Sequence, residues 1–189
     1  MPLRSPNWFV ALPASGWGIS ERLPPLPRGF RPMADEDLHV TIAFFGPIEA
    51  EGAERAFRDF VASGPYPALS AFLGPVVPMG GDASRYTALS ALLWASSQGF
   101  LEQTERWHRE LRAQAGLLPE NRPFRPHLTL ARPSPRANPK ERAAGLSWAK
   151  SIDFGGMGLR FERIALYTWS EDRSKRLFRI VSEAKLVDG

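Results

Sequence analysis

Two stretches decide the reading of this chain: His39-Val40-Thr41-Ile42-Ala43-Phe44-Phe45 and His127-Leu128-Thr129-Leu130-Ala131. Each holds a His-x-Thr tripeptide inside a short apolar run. The chain has three histidines and five threonines. Chance alone would place Thr two positions after two of the three His with a probability of about two in a thousand. Both runs are rich in β-branched and apolar residues and predict half-buried strands. Side chains alternate faces along a strand, so His39 and Thr41 share one face while Val40 and Ile42 share the other. His127 and Thr129 stand in the same relation to Leu128 and Leu130. Each copy therefore sets an imidazole beside a hydroxyl, opposite its core residues.

The rest of the composition bounds what such a pair can do. A chain of 189 residues with 43% hydrophobic and 23% charged side chains is long enough to bury a core. The expectation is one bilobal domain over residues 1–189. There is no cysteine, which excludes disulfides, thiolate metal sites and a cysteine nucleophile. The opening MPLRSPNWFVALP has one early Arg and too short an apolar run for a secretory leader. No stretch approaches the length of a membrane span, so a cytoplasmic location and no membrane partner are expected. Net charge is +4, pI is near 9.8, and 20 of the 24 basic residues are Arg. Arg suits phosphates and bases, but a compositional Arg-for-Lys bias would give the same count. Charge therefore leans only mildly toward an anionic or nucleic-acid partner.

Outward from the motifs, residues 7–12 read as a first strand, and the Pro- and Gly-rich stretch 13–32 as a loop with one short helix near 15–23. The first motif strand covers 38–45. Helical spacing of Ala53, Ala56, Phe57, Phe60 and Val61 predicts a helix over 49–63. Residues 68–73, 76–77 and 86–91 are strand candidates. Leu101, Thr104, Trp107 and Leu111 share a side of a helix over 100–115, which Gly116 stops. The second motif strand covers 127–131. A helix over 138–149 has Asn138 as cap and Pro139 in its first position. Two strands, 160–168 and 176–182, flank a polar loop at 169–175. This is an α+β order, and the motif copies split it into two comparable halves, suggesting two lobes across a cleft.

Two imidazoles with neighbouring hydroxyls form an acid–base pair. With an ordinary pKa of about 6.5, one ring accepts a proton near neutrality while the other donates. Cleaving a phosphodiester needs those two operations on opposite sides of phosphorus, plus donors for the equatorial oxygens. Two His and two Thr suffice for this, so neither metal nor cofactor is called for. A metal site is disfavoured by three His, no Cys and no carboxylate adjacent to either motif. His108, in ERWHREL, reads as a solvated or partly buried helix residue. No nucleophile elbow, P-loop or dinucleotide-binding glycine pattern is present, and Gly155-Gly156-x-Gly158 reads as a turn.

The segments LHVTIAFFG and NRPFRPHLTLAR resemble the paired motifs of the 2H phosphoesterase family, closest to its bacterial RNA 2′,3′-cyclic phosphodiesterase (2′-5′ RNA ligase-like) branch. NWFVALP and LYTWSEDRSKRLFRIV resemble that branch's first strand and final hairpin. The resemblance implies two pseudo-twofold-related lobes, each an antiparallel sheet with helices packed outside, around a central groove. It implies that His39, Thr41, His127 and Thr129 contact one phosphate. His39 would be the general acid that protonates the leaving 3′ oxygen, giving a 2′-phosphate, and His127 the general base that activates water. The sequence alone allows the two roles to be exchanged. It further implies that Phe44 and Arg132 clamp the terminal base, and Arg125 is a further candidate for substrate phosphate. Where relatives often carry Tyr in the final strand this chain has Phe178, and its 169–175 loop is unusually charged.

The expected activity is hydrolysis of 2′,3′-cyclic phosphate ends on RNA or oligonucleotides by a monomer. Two alternatives stay open: a reversible 2′-5′ RNA ligase acting on tRNA halves, and a non-catalytic RNA- or nucleotide-binding module.

Overall fold

A computed structural model describes residues 5–82, 84–95, 98–120 and 123–188, the side chains of Ala95 and Gln98 excepted. Asn121 and Arg122, at the head of the second quoted segment, lie outside these residues. The elements in chain order are β1 (Trp8–Pro13), β2 (Phe30–Pro32), β3 (His39–Gly46), α1 (Ala50–Ala62), β4 (Leu69–Met79), β5 (Ala88–Ala95), α2 (Gln98–Gln114), β6 (His127–Pro133), α3 (Pro139–Ser151), β7 (Gly158–Phe161), β8 (Arg163–Trp169) and β9 (Phe178–Lys185). Among the described residues no helix is long and apolar enough to cross a membrane.

The strands form one curled antiparallel sheet in the order β7-β4-β5-β6-β3-β1-β8-β9, with β2 added to β6. This is the expected α+β architecture. One lobe is β3, β1, β8 and β9 with α1 and α2. The other is β6, β5, β4, β7 and β2 with α3. The lobes are not the two halves of the chain, because β8 and β9 return from the C-terminal end to join the lobe that holds His39. They meet where β3 pairs with β6 at Val40 and Leu128, both fully buried.

Local rules account for most elements. Helix α1 buries Ala53, Ala56, Phe57 and Phe60, the face its spacing specifies. Helix α3 opens with a capping box between Asn138 and Glu141, with Pro in its first turn, a cap worth about 1 kcal/mol. Helix α2 is rotated one residue from expectation. Phe100, Thr104, Trp107, His108 and Leu111 face the core and Leu101 is exposed, because positions 100, 104, 107, 108 and 111 follow the 3.6-residue stripe more closely.

Four differences from the sequence reading have local causes. The helix expected near 15–23 is a single 3₁₀ turn, Ser20–Arg22. Residues 30–32, read as loop, pair with β6 as β2. The pieces expected at 68–73 and 76–77 are one strand, because the register shift between Leu73 and Val76 absorbs Gly74 and Pro75 as a bulge, a place where Pro is tolerated. The strand expected over 160–168 is interrupted at Glu162, so that Gly158–Phe161 pairs with β4 and Arg163–Trp169 with β1. Gly155 and Gly156 form the expected turn, with φ of +58° and +74°.

Candidate functional site

The junction pair sets the geometry of the site. With Val40 opposite Leu128, the antiparallel register carried one step each way places His39 across from Thr129 and Thr41 across from His127. Val40 and Leu128 point into the core, so these four side chains share the other face, all half-buried. Directly opposed Cβ atoms lie ~5 Å apart and diagonal ones ~7–8 Å. The two imidazoles occupy diagonal corners of this square and the two hydroxyls the others, related by a local twofold through the Val40–Leu128 pair.

Both imidazoles are oriented in the same way. Nδ1 of His39 lies 2.6 Å from the Asp37 carbonyl oxygen, and Nδ1 of His127 lies 2.9 Å from that of Arg125. A carbonyl can only accept, so each Nδ1–H donates and each Nε2 is left free to exchange a proton. The carbonyl two residues upstream supplies the same restraint twice.

The symmetry continues into the next turn of each strand. Alternation should carry Ala43 and Ala131 to the cleft face, yet both are buried beside Ile42 and Leu130. A bulge causes this. The register of β1 on β3 skips Ile42, and that of β5 on β6 skips Leu130. One extra residue flips the alternation, so the side chain five places after each His reaches the cleft: Phe44, which is 49% exposed, and Arg132.

A bulge leaves backbone carbonyls unpaired, and each lobe satisfies them differently. On β3, His108 Nδ1–H donates to the Ile42 carbonyl at 2.8 Å, and Arg112, one helical turn on, donates to that of Phe44 at 3.2 Å. His108 is thus a buried structural residue that fixes the strand carrying Phe44. On β6, the Met33 amide donates to the Leu130 carbonyl at 2.8 Å, and β2, ahead of it, pairs Arg31 with Arg132.

A cavity of about 330 Å³ opens on the His39 side of the junction, lined by Phe9, Arg31, His39, Thr41, Phe44, Arg132, Trp169 and Arg173 among others. His127 and Thr129 flank it on β6. Arg125 is exposed on the same side as His127. Three guanidiniums and no carboxylate contribute to the cavity wall. Among the described residues no carboxylate lies within 4 Å of Arg31, Arg132 or Arg173. Burial and the cross-strand Arg31 both push Arg132 below its ordinary pKa. Like charges placed opposite one another in a sheet cost stability, and an anion in the cleft relieves that cost. Arg31 had no signal in the sequence, since it depends on a three-residue strand, while Arg173 belongs to the unusually charged 169–175 loop, whose approach to the cavity depends on the final hairpin.

His39 and His127 differ in surroundings. The His39 ring is boxed by Phe9 at 4.9 Å, Tyr167 at 5.4 Å and the edge of Phe178 at 5.4 Å. This apolar enclosure, with Arg132 and His127 adding repulsion, lowers its pKa to about 4 despite the Asp37 hydrogen bond. Burial, then Arg132 and Arg125, also lowers His127. Both rings are neutral at pH 7 in the free protein, where the sequence alone suggested one charged and one neutral. Ser90 and Thr129 hydroxyls lie 3.2 Å apart across β5 and β6. Among the described residues no group of three or more His, Cys, Asp or Glu is arranged to hold a metal ion.

Asp37 ties the box together and was not foreseen. The residue is 2% exposed; its carboxylate accepts the amides of Leu177 at 2.7 Å and Phe178 at 3.0 Å, while its own carbonyl holds His39. It is a positioning residue. Asp37→Asn would aim an amide donor at one of these N–H groups and loosen the Phe178 wall. The expected outcome is a His39 pKa that moves up from about 4 toward 6.5, read by NMR titration of the ring proton. A purely structural role would lower the melting temperature and leave that pKa in place.

A family model described as LigT-like phosphoesterase matches residues 95–177. An Escherichia coli (strain K12) protein named RNA 2′,3′-cyclic phosphodiesterase is 31% identical over 114 residues, 59% of this chain. Over these stretches the chain is similar to the LigT-like phosphoesterases. That match covers 60% of the E. coli protein's length. Among solved structures, E. coli LigT complexed with 3′-AMP superposes with a TM-score of 0.69 at 22% identity, over 97% of this chain and 99% of that one. A Thermus thermophilus protein gives 0.67 at 19% identity, over 96% and 98%. At these identities the structures establish that the LigT-like phosphoesterase fold is shared.

Proposed function

We propose that the chain is a metal-independent RNA 2′,3′-cyclic phosphodiesterase that opens cyclic phosphate ends to 2′-phosphomonoesters. The observation that carries the reading is the pair of free Nε2 atoms at diagonal corners of the junction, each with its Nδ1–H tied to a backbone carbonyl. The related E. coli protein, by its name, acts on the same class of end. His127 takes a proton from water as the oxygen attacks phosphorus. The P–O3′ bond breaks, and His39 gives its proton to the departing 3′ oxygen. The lower pKa of the boxed His39 suits the stronger acid, and the less enclosed His127 suits the base. A phosphate entering the cleft raises the depressed pKa of His39, so that its Nε2 takes up the proton it later gives to the 3′ oxygen. Thr41, Thr129 and Arg132 supply donors to the equatorial oxygens, while Phe44 and the Arg132 plane hold the terminal base without selecting it.

The test is incubation of purified protein with a dinucleotide ending in a 2′,3′-cyclic phosphate, with and without EDTA. The expected product is the 2′-monophosphate in equal yield under both conditions. A 3′-monophosphate would reverse the leaving oxygen, and loss of activity in EDTA restored by zinc would replace the mechanism. Joined products from tRNA halves would mark ligation, and tight binding without product would mark a binding module.

A further inference from the structure

The concave face of β5 continues past the site. Ser90, Leu92 and Trp94 point to this face, because Leu89, Ala91 and Leu93 lie in the core. Leu92 is opposite His127, and the Leu93 amide donates to the Pro126 carbonyl. The same register sets Arg125 across from Trp94, while on the other side Trp94 pairs with Phe72 of β4. A row of Arg125, Trp94 and Phe72 thus crosses the sheet two strand positions from the row of His127 and Leu92, a step of ~7 Å.

Both rings in that row are exposed, Trp94 at 58% and Phe72 at 41%. Beside them is a cavity of about 500 Å³ lined also by Pro75, Ile152 and Phe154. The one charged residue in its wall is Asp153, whose Oδ1 accepts the Gly155 amide at 2.8 Å. The indole is seated there by a missing side chain: a Cβ on Gly74 would meet indole Cε2 and Nε1 at 2.9 Å. Arg125 is near enough to His127 to lower its pKa, so its positive charge spans the gap between the shelf and the junction.

Exposed aromatic faces beside a guanidinium, in line with a phosphate-sized site, match what single-stranded nucleic acid requires. Bases stack on the rings and the backbone phosphate meets the charge. We propose that Trp94 and Phe72, with Arg125, form a second-nucleotide subsite that stacks the base next to the terminal one in an oligoribonucleotide substrate. The proposal rests on the phosphodiesterase reading for its substrate class and adds a preference for oligonucleotides over mononucleotides. Continuity with the His127 row favours a nucleic-acid strand over a protein partner as occupant.

The test compares a 2′,3′-cyclic mononucleotide with a dinucleotide bearing the same terminus. Trp94→Ala should lower kcat/KM for the dinucleotide about tenfold or more and leave the mononucleotide within twofold of wild type. Trp94→Phe should restore most of the difference. Gly74→Ala, which displaces the indole without removing it, should reproduce the loss. Equal losses on both substrates, or none on either, would overturn the subsite. If the wild-type protein turns over neither substrate, the phosphodiesterase reading fails by itself. The subsite is then judged by anisotropy of a labelled oligoribonucleotide with a 3′-hydroxyl end, where unchanged affinity in Trp94→Ala overturns it.

Discussion

Replacing His39 or His127 by alanine is expected to reduce turnover of a cyclic-phosphate dinucleotide by about 10²- to 10⁴-fold, the range for loss of a positioned acid or base. The double variant should be little worse than either single one, because in the proposed mechanism the two groups serve one proton-transfer sequence and their losses would not add. Neither change should unfold the protein, since both side chains stand on the cleft face and the junction beneath them is made by Val40 and Leu128. Circular dichroism and a cooperative melt check this. Full activity in either variant would remove the mechanism.

His39 carries a stability signature that separates catalysis from folding. Its folded-state pKa, about 4, lies below the ordinary 6.5. As pH falls, the unfolded chain takes up the proton first. The stability associated with the neutral ring is therefore complete above pH 6.5, declines between 6.5 and about 4, and is gone below that. The linkage amounts to about 3 kcal/mol at most. His39→Gln should flatten that part of the stability–pH curve while remaining inactive. A curve identical to wild type would show that the aromatic box does not enclose the ring.

Much of this arrangement is legible in the chain before folding. The two His-x-Thr runs, their strand character and the sharing of a face by His and Thr follow from period-two alternation. The α3 start follows from Asn138-Pro139. The bulges are written in the sequence as well, though less openly. Ile42-Ala43 and Leu130-Ala131 are consecutive apolar pairs in strands that otherwise alternate, and a strand cannot bury both members of a pair without an extra residue. That irregularity is what assigns the cleft to Phe44 and Arg132.

What was not legible depends on contacts between distant segments. Arg31 enters the cleft because Phe30–Pro32 pair with residues 131–133 of β6, beyond the point where β3 pairs with that strand. Asp37 matters because Leu177 and Phe178, some 140 positions away, present their amides to it. His108 sits on a helix whose own pattern calls only for an apolar stripe, and its partner is the carbonyl freed by a bulge in another element. The assignment of β8 and β9 to the first lobe likewise has no local signal. Such pairings are decided by the whole fold, and a window of neighbouring residues does not contain them.

Arg132 should display both sides of the electrostatics at once. Arg132→Ala is expected to lower kcat/KM by about 10²- to 10³-fold, the usual cost of deleting a donor aimed at developing charge. The same guanidinium disfavours the protonated form of both imidazoles. Its removal should raise both pKa values and move the optimum of kcat/KM to higher pH, even as the absolute rate falls. In wild type, where both pKa values are depressed, that optimum should lie on the acid side of 6.5. Arg132→Lys keeps a positive charge but loses the planar fork, so it should keep the acidic optimum with an intermediate loss, about tenfold. Stability should move the other way. Arg132 is half-buried and faces Arg31 across the strands, so the alanine variant loses a like-charge pair and its melting temperature should rise, as when a functional residue is held against the preference of the fold. A variant that is slower, more stable and shifted toward neutral pH is the expected triad. Wild-type kcat/KM, or an unmoved optimum in Arg132→Ala, would mean that this guanidinium faces neither the phosphate nor the imidazoles.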